Sequence, residues 1–184
     1  MLKQKFLRCA ALSFVLIAGA FFLRIPARGA ALEVSAQSAV VITADTGTVL
    51  FEKDAHTQRP MASTTKIMTA LLALEEAQRL GNPVVEITEE MVAVEGSSMG
   101  LLPGDRITLS NLAAGMLLAS GNDAANAVAL YLKGSLEAFA DEMNRRAQKL
   151  GMENTHFVTP SGLDATSADS QKHHSTAYDM ALLA

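Results

Sequence analysis

The pattern along residues 38–53 suits paired strands. Residues 38–44 (S-A-V-V-I-T-A) and 48–53 (T-V-L-F-E-K) are β-branched and apolar, and Asp45, Thr46 and Gly47 between them supply turn chemistry, which predicts a β-hairpin. A polar loop through Pro60 follows, and then the period changes. From Ser63 onward, Ile67, Met68, Ala70, Leu71, Leu72 and Leu74 leave little polar face, so this helix is expected in the middle of a domain. Gly81, Asn82 and Pro83 stop it. Residues 84–88 and 107–109 read as short extended pieces around a loop containing Gly96-Ser97-Ser98-Met99-Gly100. Ser110 is expected to cap a short helix ending near Ala119, and a second helix runs from about Asp123 to Lys133. Ser135 caps a third, in which Leu136, Phe139, Met143, Ala147 and Leu150 recur at helical spacing before Gly151. The remainder is loop until a helix begins near Ser175. A hairpin followed by a block of helices predicts an α+β fold, not a parallel βαβ series.

The N-terminus departs from this pattern. Lys3, Lys5 and Arg8 precede an uncharged run from Cys9 to Leu23, closed by Arg24. At 15 residues the run is short of the roughly 20 needed to cross a bilayer as a helix. It fits the apolar core of a secretory signal peptide over residues 1–31, with Ala27 and Gly29, or Gly29 and Ala31, as the small residues of the cleavage site. Arg24 and Arg28 make that site imperfect, which leaves an uncleaved N-terminal anchor as the alternative. The expected location is outside the cytoplasm, in the cell envelope.

Length and charge narrow the rest. The 184 residues suit one domain, residues 32–184 once the signal is set aside, and no repeat or low-complexity linker interrupts them. Residues 1–31 carry five basic groups and no acidic one, so their removal takes the formal charge from −4 to −9. An acidic surface argues against nucleic acid and against polybasic attachment to a membrane. Cys9 is the sole cysteine, so the mature chain has no disulfide, metal thiolate or cysteine nucleophile.

Chemistry concentrates in Ser63-Thr64-Thr65-Lys66. Residues three apart on a helix share a face, so Lys66 can reach the Ser63 hydroxyl. A serine becomes a competent nucleophile when a neighbouring base takes its proton. Lysine serves as that base only when neutral, and burial in an apolar helix pushes its pKa down. A serine at a helix N-terminus also has backbone N–H groups nearby for an oxyanion. The bland alternative, a capping serine and a solvated lysine, leaves a charge unpaired in an apolar helix at a cost of several kcal/mol. Ser120-Gly121-Asn122 lies between two helices and, alone, reads sooner as a C-cap and turn than as a site. The pairing of S-x-x-K with a downstream S-x-N is far more specific.

These residues resemble the serine D-alanyl-D-alanine carboxypeptidases, the low-molecular-mass penicillin-binding proteins. The segment P-M-A-S-T-T-K-I-M-T at residues 60–69 is similar to that family's nucleophile segment, as are Pro103-Gly104-Asp105, Ser120-Gly121-Asn122-Asp123-Ala124, Ser161-Gly162-Leu163-Asp164 and His174-Ser175-Thr176-Ala177. The resemblance implies a penicillin-binding, β-lactamase-like transpeptidase fold without cofactor or metal. It implies that Ser63 is acylated, that Lys66 accepts its proton, that Ser120 relays a proton to the leaving amine, and that Asn122 binds the substrate's amide backbone. The implied partners are peptidoglycan stem peptides ending in D-Ala-D-Ala, with β-lactam antibiotics as inhibitors. One departure accompanies the likeness: no Lys-Thr-Gly or Lys-Ser-Gly follows Asn122. The expectation is therefore an N-terminal portion of a catalytic domain, lacking the later strands of its sheet and inactive alone.

Two other functions compete with this one: a class A-like β-lactamase, and a non-catalytic peptidoglycan-binding remnant. Class A enzymes need a glutamate for deacylation, and residues 150–184 hold only Glu153, outside the required pattern. The remnant rests on the missing tripeptide. His56, His156, His173 and His174 are expected to be solvated loop residues, since no G-x-S-x-G or H-E-x-x-H accompanies them. The pairs Glu75-Glu76 and Glu89-Glu90 read as exposed helix faces.

Overall fold

A computed structural model describes residues 32–165, 167 and 171–184; the expected signal segment, 1–31, lies outside them. The described elements belong to one unit, Ala36–Ala184. The expected hairpin is present: β1 (Ala39–Ile42) pairs antiparallel with β2 (Val49–Lys53), with Val41 opposite Phe51 and a bulge before Ile42 meets Val49. A second antiparallel pair joins β3 (Val84–Glu86) to β4 (Arg106–Thr108). Among the described residues six α-helices pack with these: α1 (Lys66–Leu80), α2 (Glu89–Val92), α3 (Leu109–Ala119), α4 (Asn122–Lys133), α5 (Leu136–Lys149) and α6 (Ala177–Leu183). The α+β architecture expected from the pattern is the observed one.

The core lies between helices. Met68, Leu72 and Ala73 of α1 meet Leu112 and Met116 of α3, Ala125 and Val128 of α4, and Phe139 and Met143 of α5 in one buried cluster. The central helix is α4, not α1 as the apolar count suggested. Every residue from Asn122 to Ala129 is buried, whereas α1 leaves Ile67 37% and Leu74 48% exposed. Small side chains explain the exchange: alanines along α4 let neighbouring backbones approach from all sides, while the leucines of α1 exceed what one buried face accommodates.

Helix ends follow local chemistry with one correction. Ser135 caps α5 by accepting from the Ala138 N–H, as expected. Thr108, not Ser110, caps α3, accepting from Asn111 N–H at 3.4 Å. The cause is tertiary: the β3–β4 ladder ends at Thr108 and Asn82 accepts the Ser110 N–H at 3.0 Å, so the helix begins two residues early. Glu75 pairs with Arg146 and Glu76 with Arg79, on solvated faces as the charges implied.

Candidate active site

Ser63 sits in a single 3-10 turn, Ala62–Thr65, that runs directly into α1. The α-helix expected to start at the serine begins three residues later, at Lys66. The tighter turn serves the pair well, because residues three apart eclipse in 3-10 geometry. Lys66 Nζ stands 3.1 Å from Ser63 Oγ and donates at 2.7 Å to the Ser161 carbonyl. Ser63 is exposed, and Lys66 is only 2% exposed beneath it. Burial of the ammonium lowers the Lys66 pKa from its ordinary 10.5, which favours the neutral amine. In that form the bond reverses: the Ser63 hydroxyl donates to the amine lone pair.

The turn is strained and braced. Ala62, immediately before the serine, has φ +45°, a conformation that costs an L-residue about 1–2 kcal/mol. Its carbonyl then presses against Gly162, where a Cβ would lie 1.9 Å from the Ala62 oxygen and 2.9 Å from Thr65 Oγ1. Only glycine fits there. Just before Gly162, the Ser161 carbonyl takes the Lys66 bond and the Pro160 carbonyl accepts from Thr69 Oγ1 at 2.7 Å. The 160–162 segment is thereby strapped across the first turn of α1. The first bond of the 3-10 turn runs from Thr64 N–H to the Met61 carbonyl at 3.2 Å. The Ser63 N–H precedes that ladder.

Ser120 and Asn122 lie at the α3–α4 junction. Ser120 takes the left-handed conformation, φ +55°, at the end of α3, and Asn122 opens α4. The helix that follows Ser63, α1, packs against both α3 and α4. Among the described residues no hydrogen bond joins Ser120 or Asn122 to Ser63 or Lys66. Asn122 instead donates its side-chain amide to the Glu95 carbonyl at 2.7 Å and its backbone N–H to the Ser97 carbonyl at 2.7 Å.

Three further residues carry structural weight the motifs alone did not reveal. Asp123 accepts from Ser98 Oγ at 2.6 Å and from the N–H groups of Met99, Leu101 and Ala124 at 3.0, 3.1 and 2.9 Å. Burial opposes its ionisation, but these four bonds outweigh it and hold the carboxyl below its ordinary 3.8. The 95–101 loop is thus tied to the Ser120-Gly121-Asn122 turn. Gly162 is the second. His173 is the third, and it corrects the expectation of a solvated loop histidine: it is 3% exposed and lies 2.7 Å from Thr65 Oγ1. Its polar sequence neighbours concealed this, because the residues that bury it are distant in the chain. His56 is exposed and His156 and His174 are partly buried. Among the described residues no group of three metal-ligating side chains assembles, and no helix is long and apolar enough to cross a membrane.

An exposed serine thus stands over a buried lysine, on a helical block with a hairpin beside it. The match extends to sequence families: residues 26–184 fit the family model described as D-alanyl-D-alanine carboxypeptidase, and the chain belongs to that family. It is 41% identical over 152 residues to D-alanyl-D-alanine carboxypeptidase DacF of Bacillus subtilis, covering 81% of this chain and 38% of that protein. To DacD of Escherichia coli it is 36% identical over 160 residues, covering 82% of this chain and 40% of the relative. Among solved structures, the carboxypeptidase DacD from Francisella tularensis superposes with a TM-score of 0.78 at 37% identity, over 85% of this chain and 37% of that one. Penicillin binding protein 6B from Escherichia coli does so at 0.75 and 36% identity, over 86% and 51%. The chain therefore spans about two fifths of the length of these carboxypeptidase relatives.

Proposed function

We propose that the protein carrying this chain is a serine-type D-alanyl-D-alanine carboxypeptidase, which removes the terminal D-alanine from peptidoglycan stem peptides through an acyl-enzyme on Ser63. The observation that carries this reading is the exposed Ser63 hydroxyl 3.1 Å from a buried, desolvated Lys66 amine. Neutral Lys66 takes the Ser63 proton as Oγ attacks the carbonyl carbon between the two D-alanines. The resulting oxyanion meets the Ser63 N–H. Collapse breaks the C–N bond, and the proton passes through Ser120 to the departing amine, leaving an ester on Ser63. Asn122 has its Oδ1 free of protein partners among the described residues and so can accept from the substrate's amide. Water then attacks the ester, releasing the shortened peptide as a carboxylate and restoring the serine. A β-lactam enters the same first step, its ring C–N bond opening, and stalls as the acyl-enzyme.

The N-terminal apolar run supports export, which places the reaction outside the cytoplasm, where its substrate lies. Residues 32–184 alone are expected to be unreactive: they contain no Lys-Thr-Gly or Lys-Ser-Gly after Asn122. Their hairpin also leaves Val41, Val49 and Leu50 exposed. One titration tests these points. A fluorescent penicillin labels the intact gene product, Ser63→Ala abolishes the label, and the isolated 32–184 segment stays unlabelled. Label retained by Ser63→Ala overturns the nucleophile. A cooperative melt with near-stoichiometric labelling of the isolated segment overturns its incompetence.

A further inference from the structure

Residues 173–175 reach the nucleophile turn twice. Ser175 and Arg59 exchange both backbone hydrogen bonds, at 2.8 and 3.0 Å, which pins the chain just before Pro60 and Met61. At the other end of the same turn, His173 meets Thr65, a residue 108 positions away in sequence. The imidazole is held on every side. Phe157 packs edge-on to it with ring centroids 6.0 Å apart. The His173 backbone N–H donates to the Ala165 carbonyl at 3.0 Å, and His174 pairs with His156 through the backbone.

The hydrogen bonds assign the tautomer. Nδ1 faces the Val158 N–H at 3.0 Å and the Thr159 N–H at 3.4 Å, both donors, so Nδ1 is the lone-pair nitrogen. The ring proton is therefore on Nε2, which donates to Thr65 Oγ1 at 2.7 Å. Thr65 precedes the first residue of α1, where a threonine ordinarily accepts from a helical N–H. It makes no such cap here, and its hydroxyl is fully buried. That hydroxyl belongs instead to His173. Thr65 lies between Ser63 and Lys66, so whatever fixes it also fixes the relation of nucleophile to amine.

We infer that His173 is a positioning residue for Ser63: its Nε2–H, donated to Thr65 Oγ1, locks the 3-10 turn that presents the hydroxyl to Lys66. This rests on the reading of Ser63 as nucleophile, and it adds a residue that touches neither substrate nor the reacting atoms. The lock is built to stay neutral. A second ring proton would point at two backbone donors, and burial lowers the His173 pKa to about 4. Asp164 opposes that depression, His156 and His174 add to it, and Lys172 flanks the ring on its own segment.

The test uses the intact gene product and the rate of acylation by a fluorescent penicillin. His173→Asn keeps an acceptor where Nδ1 was but withdraws the donor from Thr65. It slows acylation by about tenfold to a hundredfold, the scale of a misplacement near 1 Å. His173→Gln, whose amide N–H reaches the place of Nε2, restores a rate close to wild type. Thr65→Val reproduces the loss, and the double variant with His173→Asn is no slower than either single one. Independently, nitrogen NMR of the unsubstituted protein shows a single Nε2-protonated tautomer at His173 through neutral pH. Wild-type acylation in a folded His173→Asn, or a proton found on Nδ1, overturns the lock. If His173→Asn does not fold, Thr65→Val and the spectrum decide it. Absence of label on Ser63 in the unsubstituted protein refutes the nucleophile instead, and the spectrum still judges the lock.

Discussion

Replacing Gly162 with alanine tests the brace on the nucleophile turn. Two costs add at this position. The residue has φ +87°, where an added Cβ costs about 1–2 kcal/mol. The new carbon would also stand 1.9 Å from the Ala62 carbonyl oxygen and 2.5 Å from its carbon, both backbone atoms that cannot rotate away. Real Cβ contacts essentially never fall below 3.0 Å, so the two segments must part by at least about 1 Å, at an overpacking cost of about 1–3 kcal/mol. The sum is roughly 2–5 kcal/mol. Parting them also draws the Ser161 carbonyl from Lys66, now 2.7 Å away, and turns Ala62 against Ser63. A displacement of that size near reacting atoms costs about a hundredfold in rate. Gly134→Ala is the control: φ is +77° and nothing lies within 4 Å, so it bears the backbone term alone. Denaturant unfolding and penicillin acylation of both variants measure the difference. A Gly162→Ala protein as stable as Gly134→Ala and acylated at the wild-type rate would refute the brace.

Other expectations follow from the same geometry. Lys66→Arg keeps the charge but cannot supply a neutral base, so acylation falls by at least about a hundredfold, and a near-wild-type rate would make Lys66 merely structural. Because burial lowers the Lys66 pKa, acylation by the unsubstituted protein rises with pH through a limb centred below 10.5, and a limb at or above that value contradicts the assignment. Asp123→Ala strips acceptors from three loop groups and destabilises the protein by about 3 kcal/mol, with faster hydrogen exchange at Met99 and Leu101. The carboxyl titrates below its ordinary 3.8 in the folded state, so its contribution is complete above that value and is lost as pH falls through the depressed pKa. A reporter fused after residue 40 leaves the cytoplasm if residues 1–31 act as a signal, and one retained wholly inside disproves export.

What could be read from the chain alone was what depends on near neighbours. The hairpin, the stop at Gly81, the Ser135 cap and the reach of Lys66 to Ser63 each follow from residues a few positions apart, where backbone geometry decides contact. The pairing of two motifs added specificity without requiring coordinates. Spacing could not foretell the rank of the helices. An apolar count favours α1 as the centre, yet close approach selects the alanines of α4. The start of α3 was likewise set by the Asn82 side chain and the end of a strand pair, beyond what a capping rule sees.

The surroundings of the serine were decided in three dimensions. Thr65 and His173 are 108 residues apart, Lys66 and Ser161 are 95 apart, and Thr69 and Pro160 are 91 apart, so no local pattern encodes their meeting. The sequence determined that a serine and a lysine stand three residues apart beside a Ser-Gly-Asn turn. The tertiary structure determined that the lysine loses its water, that Gly162 has no room for a side chain, and that a histidine among polar neighbours is buried. The physical reason is that desolvation and steric exclusion belong to the packed neighbourhood, and the neighbours that create them here are chosen by the fold.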